Sequence, residues 1–216
     1  LEAVKLLFTA QNSVYAANAV EEEIVATSAI ESIDFDRSSV RSIMLGNAPK
    51  DNQENRIYGL KLGFEFISDR HNHITEENIH KLYMMAIGNF LEGDDRLRDG
   101  EFYRHDDVYV MGGDGVVHRG IGSGKLPGYM KQFVDFANAD DGINDLLKAA
   151  MLHFDIAYLH PYFDGNGRMA RLLHMWFLIQ KGYESTLFVP MSSYIEKSRG
   201  KYYDAYTLVE NNARVA

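Results

Sequence analysis

The sequence predicts a mainly α-helical fold, a bundle around one central loop and helix, with a single β-hairpin. Three observations predict it. Apolar residues recur at helical spacing over most of the 216 residues, the pattern of helices that bury one face. One stretch alternates as a hairpin does: Asp107-Val-Tyr-Val-Met111 and Val116-Val-His118 flank the turn Gly112-Gly-Asp-Gly115. Finally, His160-Pro-Tyr-Phe-Asp-Gly-Asn-Gly-Arg-Met-Ala-Arg171 reads as a loop, then a glycine-bracketed turn that opens a largely apolar helix stopped by Gly182.

Taken in order, residues 1 to about 31 read as a long helix without Pro or Gly, with Val4, Leu7, Phe8, Val20, Ile24, Ala26 and Ile30 at helical spacing. Glu21-Glu22-Glu23 is expected to be a solvated face. Asp34 to Leu45 reads as a turn and short helix capped by Asp36, Ser38 or Ser39 and stopped at Gly46. Arg56 to Ile67 is a helix by spacing, and His71-Asn-His73 an exposed turn with no further ligand at metal spacing. Thr75 caps a helix over Glu76–Phe90.

After the hairpin, Arg119 to Leu126 is superficially similar to a phosphate-binding loop. Its glycine spacing is wrong, and Leu126 stands where a magnesium-binding hydroxyl belongs. Pro127 opens a helix to Asn138. Asn144 to Tyr158 is apolar over much of its circumference (Leu146, Leu147, Ala150, Met151, Phe154, Ile156, Ala157), as a central helix would be. His153 and His174 read as satisfied interior histidines. Thr186 to Pro190 reads as a short extended run, and Ser192 to Tyr206 as a closing helix broken or eased at Gly200.

Composition narrows the function. A net charge of −9 argues against a broad contact with nucleic-acid phosphates. No cysteine is present, so neither disulfides nor a thiolate metal site can form. No apolar run is long enough to span a bilayer and no signal-peptide pattern appears, so a cytoplasmic setting without membrane contact is expected. The chain opens on Leu1 and stops in a helical phrase, which suggests a piece of a longer protein.

The chemistry concentrates in residues 160–171. His160 is a titratable base and Asp164 a carboxylate. Gly165 and Gly167 let a ligand approach the main chain, and free N–H groups at a helix start attract anions. Arg168 and Arg171 lie three apart on one face. These groups suffice to position phosphates for displacement.

This segment resembles the signature of Fic-domain proteins, His-Pro-Phe-x-Asp/Glu-Gly-Asn-Gly-Arg-x-x-Arg, with Tyr162 in place of Phe. A hydroxyl on that ring needs a partner if buried. The resemblance implies a Fic-type helical bundle and AMPylation, in which AMP moves from ATP to a Ser, Thr or Tyr hydroxyl of a target protein. By the same resemblance His160 is the general base and Asp164 the Mg2+ ligand. Gly165, Asn166 and Gly167 form an anion nest, Arg168 holds the distal phosphates, and Arg171 orients the γ-phosphate. The hairpin resembles the family's flap, where an extended segment of the target pairs with the strands around Val108, Tyr109, Val110, Val116 and Val117.

Thr27 and Glu31 are i and i+4 on a helix, and Thr27-Ser-Ala-Ile-Glu31 is similar to the family's inhibitory motif, with Ser32 where Gly or Asn is usual. The implied organisation is an inhibitory segment, residues 1–34, ahead of a core, residues 35–216. Glu31 would compete for Arg171 and displace the γ-phosphate. The same site could instead remove AMP, move another phosphate-containing group, or serve a non-catalytic nucleotide-binding module. The target, its modified residue and any homo-oligomer stay open.

Overall fold

The computed structural model describes residues 10–112 and 115–213. It is mainly helical, with one two-stranded sheet among the described residues, as the periodicity predicts. Backbone contacts group the described residues up to Asn47 with those from Ser185 onward in one compact unit, and Ala48–Glu184 in a second.

In the first unit, α1 (Ala10–Ile30) packs on α2 (Arg37–Met44) and on α8 (Met191–Lys197), and α9 (Arg199–Ala213) follows α8. Ile24, Ile30, Val40 and Ile43 are buried. Asp36 caps α2 by accepting the Ser39 N–H at 3.3 Å. The end of α1 is a paired left-handed stop. Ser32 takes φ 60°, its N–H donates to the Ala29 carbonyl (3.0 Å), and the Ile33 N–H donates to Ser28 (2.9 Å). Ser32 thus makes the turn that glycine usually makes.

Three expectations fail in this unit. Glu21 and Glu23 are buried rather than solvated. Glu23 accepts the N–H (2.8 Å) and hydroxyl of Ser192, so its carboxylate satisfies the otherwise orphaned first turn of α8. Thr186–Pro190 is not extended: Glu184–Phe188 forms a 3-10 turn, because a five-residue run with no strand to pair with among the described residues gains nothing from extension. The closing helix breaks at Ser198, whose N–H donates to Ile195 and hydroxyl to Tyr194, while Gly200 lies inside α9.

The second unit is built on α7 (Asn166–Gln180), which packs against α6 (Asp145–Leu159) and α3 (Asn52–Ser68). Nearly every α7 side chain from Asn166 to Ile179 is buried. Gly182, at φ 92°, follows its end. The Trp176 indole N–H donates to the Asn72 carbonyl (2.9 Å), which fixes the turn holding His71 and His73. Helix α3 starts earlier than its apolar pattern, because Asp51 accepts the Glu54 N–H (2.8 Å) while the Glu54 carboxylate accepts that of Lys50 (2.9 Å).

Helix α4 (Glu76–Ala86), capped by Thr75, is shorter than expected and is followed by a 3-10 turn over Gly88–Phe90. A Cβ on Gly88 would lie 2.7 Å from the Met84 sulfur and 2.9 Å from Tyr83, so close packing sets the break. Helix α5 (Leu126–Asn138) has Pro127 in its first turn, and Asn144 caps α6. Helix α6 is not buried all round. Ala149, Leu152, Ile156 and Leu159 face inward, whereas Leu146 (55%), Leu147 (63%) and Met151 (44%) are exposed. No helix among the described residues is long and apolar enough to cross a membrane.

The hairpin pairs β1 (Tyr109–Gly112) with β2 (Gly115–Arg119) antiparallel, Tyr109 opposite Arg119, with a bulge between Val110 and Met111. Val108 precedes β1, and its carbonyl still accepts the Gly120 N–H at 3.2 Å.

Candidate active site

The loop 160–165 joins α6 to α7, the two helices of the second unit's interior, and so is held at both ends. His160 caps α6 in the left-handed region, φ 53°, ψ 57°, with its N–H on the Ile156 carbonyl (3.1 Å). Its Nδ1 lies 3.1 Å from the Ala157 carbonyl. A carbonyl only accepts, so Nδ1 carries the proton in this geometry and Nε2 is the lone-pair nitrogen of the neutral ring.

Asn166 shapes the loop. Its side-chain oxygen accepts the Tyr162 N–H (3.0 Å) and its amide donates to the Tyr162 carbonyl (2.8 Å). The side chain of this buried residue is therefore a loop clamp, and what Asn166 can offer an anion is its backbone N–H at the start of α7. Tyr162 is fully buried and lies flat on Tyr83, with centroids 3.5 Å and planes 3° apart. The Tyr162 hydroxyl has no hydrogen-bond partner among the described residues.

Gly165, the N-cap of α7, takes φ 87°, where a Cβ would lie 2.7 Å from Ile87 Cγ2. Its N–H donates to Asp164 Oδ1 (2.5 Å), and Asp164 Oδ2 meets the buried Arg168 guanidinium at 3.0 Å. Gly167 sits in the first turn of α7, half-buried, and Arg171 is 1% exposed. The structure thus brings His160, Asp164, Gly165, Asn166, Gly167 and Arg168 into one loop and first helical turn. Arg171 is one turn further on.

Among the described residues no three His, Cys, Asp or Glu side chains gather at metal spacing. A single carboxylate beside N–H donors and a guanidinium nevertheless suits Mg2+, which keeps waters and binds one or two carboxylates together with substrate phosphates. His153 and His174 pack edge to face at 5.8 Å. Burial pushes His153 down to about 3, reinforced by His174 and Arg171, so it is neutral interior material.

Thr27 is buried in the last turns of α1, and the half-buried Glu31 caps that helix in the first unit. Of the hairpin residues, Tyr109 is exposed and lies under the Arg119 guanidinium, 5.5 Å from the ring centroid. Val116 and Val117 contribute backbone to β2.

Sequence reasoning missed Tyr83, Arg104 and Gly120. Tyr83 supports Tyr162 from α4, and its hydroxyl lies 3.4 Å from the Asp164 carbonyl. Arg104 donates to the His160 carbonyl (2.7 Å). Gly120 packs against both His160 and Arg104. No motif marks them; a large cation amid Phe102 and Tyr103 was the available signal.

Residues 73–178 match the model of the Fic/DOC family. A protein adenylyltransferase Fic from Drosophila willistoni is 30% identical over 172 residues, 77% of this chain and 31% of that protein. The chain spans about a third of the length of the curated relatives it matches. A Fic family protein from Desulfovibrio desulfuricans matches with a TM-score of 0.74 at 19% identity, over 91% of this chain and 59% of that one. A Fic domain containing signaling protein from Bacteroides thetaiotaomicron matches at 0.68 and 24% identity, over 83% and 70%. With the fold, the loop geometry and these likenesses in agreement, the chain is a Fic-domain protein of the Fic/DOC family.

Proposed function

We propose that this chain is a protein adenylyltransferase, moving AMP from ATP to a Ser, Thr or Tyr hydroxyl of a target protein. The observation that carries it is the clamped loop: a base with Nε2 left as its proton acceptor, one carboxylate and a helix N-terminus lie within eight residues, His160 to Gly167. In the reaction the hydroxyl oxygen bonds to the α-phosphorus as the bond to the pyrophosphate oxygen breaks, and the hydroxyl proton passes to His160 Nε2. Gly165, Asn166 and Gly167 bind phosphate oxygens through backbone N–H groups, and Arg168 and Arg171 balance the distal charge. Asp164 would hold Mg2+, which neutralises charge on the phosphates. On this reading Arg168 and the Gly165 N–H both exchange their Asp164 partner for phosphate when nucleotide binds.

The target lies as an extended segment along the hairpin at Val108, Tyr109, Val110, Val116 and Val117, joined mainly by backbone bonds. The segment 1–34 acts as a brake on the core 35–216. Glu31, on the turn below Thr27, takes Arg171 from the γ-phosphate, and a Glu–Arg pair of this kind is strong enough to exclude it. Intact mass after incubation with ATP and Mg2+ tests the whole. Glu31→Gly should gain the mass of AMP faster than the parent chain, and Glu31→Gly with His160→Ala should gain none. Equal rates for the parent and Glu31→Gly would remove the brake. AMP loss from a modified protein would reverse the direction of the reaction, and a different added mass would change the donor.

A further inference from the structure

We propose that Arg104 is a positioning residue of this site, a buried guanidinium that ties both feet of the hairpin to the backbone of His160. The hairpin and the base then hold one another in register. The inference rests on the reading of His160 as the base.

Arg104 is 2% exposed, and its guanidinium donates to main-chain carbonyls from three places in the sequence. Nε donates to His160 (2.7 Å), Nη1 to Asp106 (2.6 Å) and Nη2 to Ile121. Its own N–H donates to the Pro161 carbonyl at 2.9 Å. Asp106 precedes β1 and Ile121 follows β2, so one planar group spans the hairpin's base and the start of the catalytic loop. A buried guanidinium is tolerated when its donors are met, and charge-assisted bonds of this kind are the stronger ones. Asp107 completes the base, accepting from Arg119 (2.8 Å) and from the Ser123 N–H (3.1 Å).

Two features make this more than general packing. His160 sits at positive φ, where a side-chain-bearing residue is held only by its surroundings. Arg104 fixes its carbonyl, while Ala157 fixes its ring. Independently, Gly120 is pressed into the same point. A Cβ there would lie 2.7 Å from Arg104 Nη2 and 3.0 Å from both His160 Cβ and Val108 Cγ2. The Ile121 N–H continues the contact to the Leu159 carbonyl (3.2 Å). Lysine cannot replace this fork, since one ammonium cannot reach three diverging carbonyls.

The test uses Arg104→Lys, Gly120→Ala and the neighbouring Gly122→Ala, each in the Glu31→Gly chain. A Cβ on Gly122 meets only Asp107 Oδ1, at an ordinary 3.8 Å. AMP transfer gives kcat and the KM for ATP, and amide exchange by mass spectrometry follows residues 105–122 and 160–164. Arg104→Lys and Gly120→Ala should each lower kcat by roughly 10²-fold, the loss that a displacement of about 1 Å produces. KM for ATP should stay within a few-fold, because Arg104 touches no phosphate-binding group. Exchange should rise at the hairpin feet and the His160 loop together, with α3 and α7 still protected. Gly122→Ala should match its parent in all of these. The proposal is overturned if either variant keeps the parent kcat, if the hairpin loosens without residues 160–164, or if exchange accelerates uniformly. Should the Glu31→Gly parent transfer no AMP, the proposed function fails, while the exchange pattern still decides the coupling.

Discussion

Replacing Tyr162 by Phe should stabilise this protein. The ring is fully buried and stacked on Tyr83 at 3.5 Å, yet its hydroxyl finds no hydrogen-bond partner among the described residues. A buried hydroxyl in that position forfeits about 1–3 kcal/mol of hydration. Removing the oxygen also loses a few dispersion contacts of about 0.1–0.2 kcal/mol each. The difference favours Phe by about 1 kcal/mol, which at this chain length shifts Tm by about 2–4 °C. Urea titration at pH 7 should show a higher midpoint with an unchanged slope. AMP transfer should not change, because the Asn166 clamp holds the Tyr162 backbone rather than its ring. A Phe variant less stable than the parent by 1 kcal/mol or more would refute the reasoning, since the hydroxyl would then have to be bonded in the folded state.

Other substitutions probe separate parts of the structure. Gly165→Ala puts a Cβ at φ 87° and 2.7 Å from Ile87, so thermal melts should show a loss of about 2–4 kcal/mol and transfer should fall with it. Ser32→Gly relieves a left-handed serine at the end of α1 and should raise stability by about 1 kcal/mol in the same assay. Asp155→Asn tests a carboxyl that burial pushes up to about 6. As pH climbs from about 4 to 6 the unfolded chain releases this proton first, so the folded state loses stability over that window and stays flat above it. The Asn variant should match the parent near pH 4 and exceed it at pH 7 by about 1–2 kcal/mol, the half-buried position moderating the effect. Denaturant midpoints at the two pH values decide it.

The candidate site was legible because its chemistry is local. His160, Asp164, the glycines and Arg168 fall within nine residues, and each residue type states its own requirement. Helix ends were legible for the same reason: Asp36, Thr75, Asn144 and Gly182 act on backbone groups two to four residues away. What stayed hidden depends on distant partners. Arg104 binds carbonyls 17 and 56 residues further on, and a carbonyl leaves no mark on residue type. Glu23 reads as a surface charge until Ser192, 169 residues away, is seen against it. The exposure of Leu146, Leu147 and Met151 is equally a tertiary fact, since composition cannot tell which apolar face of α6 meets a neighbour.

The left-handed backbone at His160 has a consequence for how this protein is inherited and expressed. A residue that suits positive φ, such as Asn or Gly, would relax the α6 cap by about 1 kcal/mol while removing the proposed base. On the proposed function, inactivating changes at this position are therefore among the easiest for the fold to accept, and in a cell such variants should accumulate to higher levels than the parent protein. A histidine maintained there over generations is kept by selection on its chemistry, against the drift that folding alone would favour.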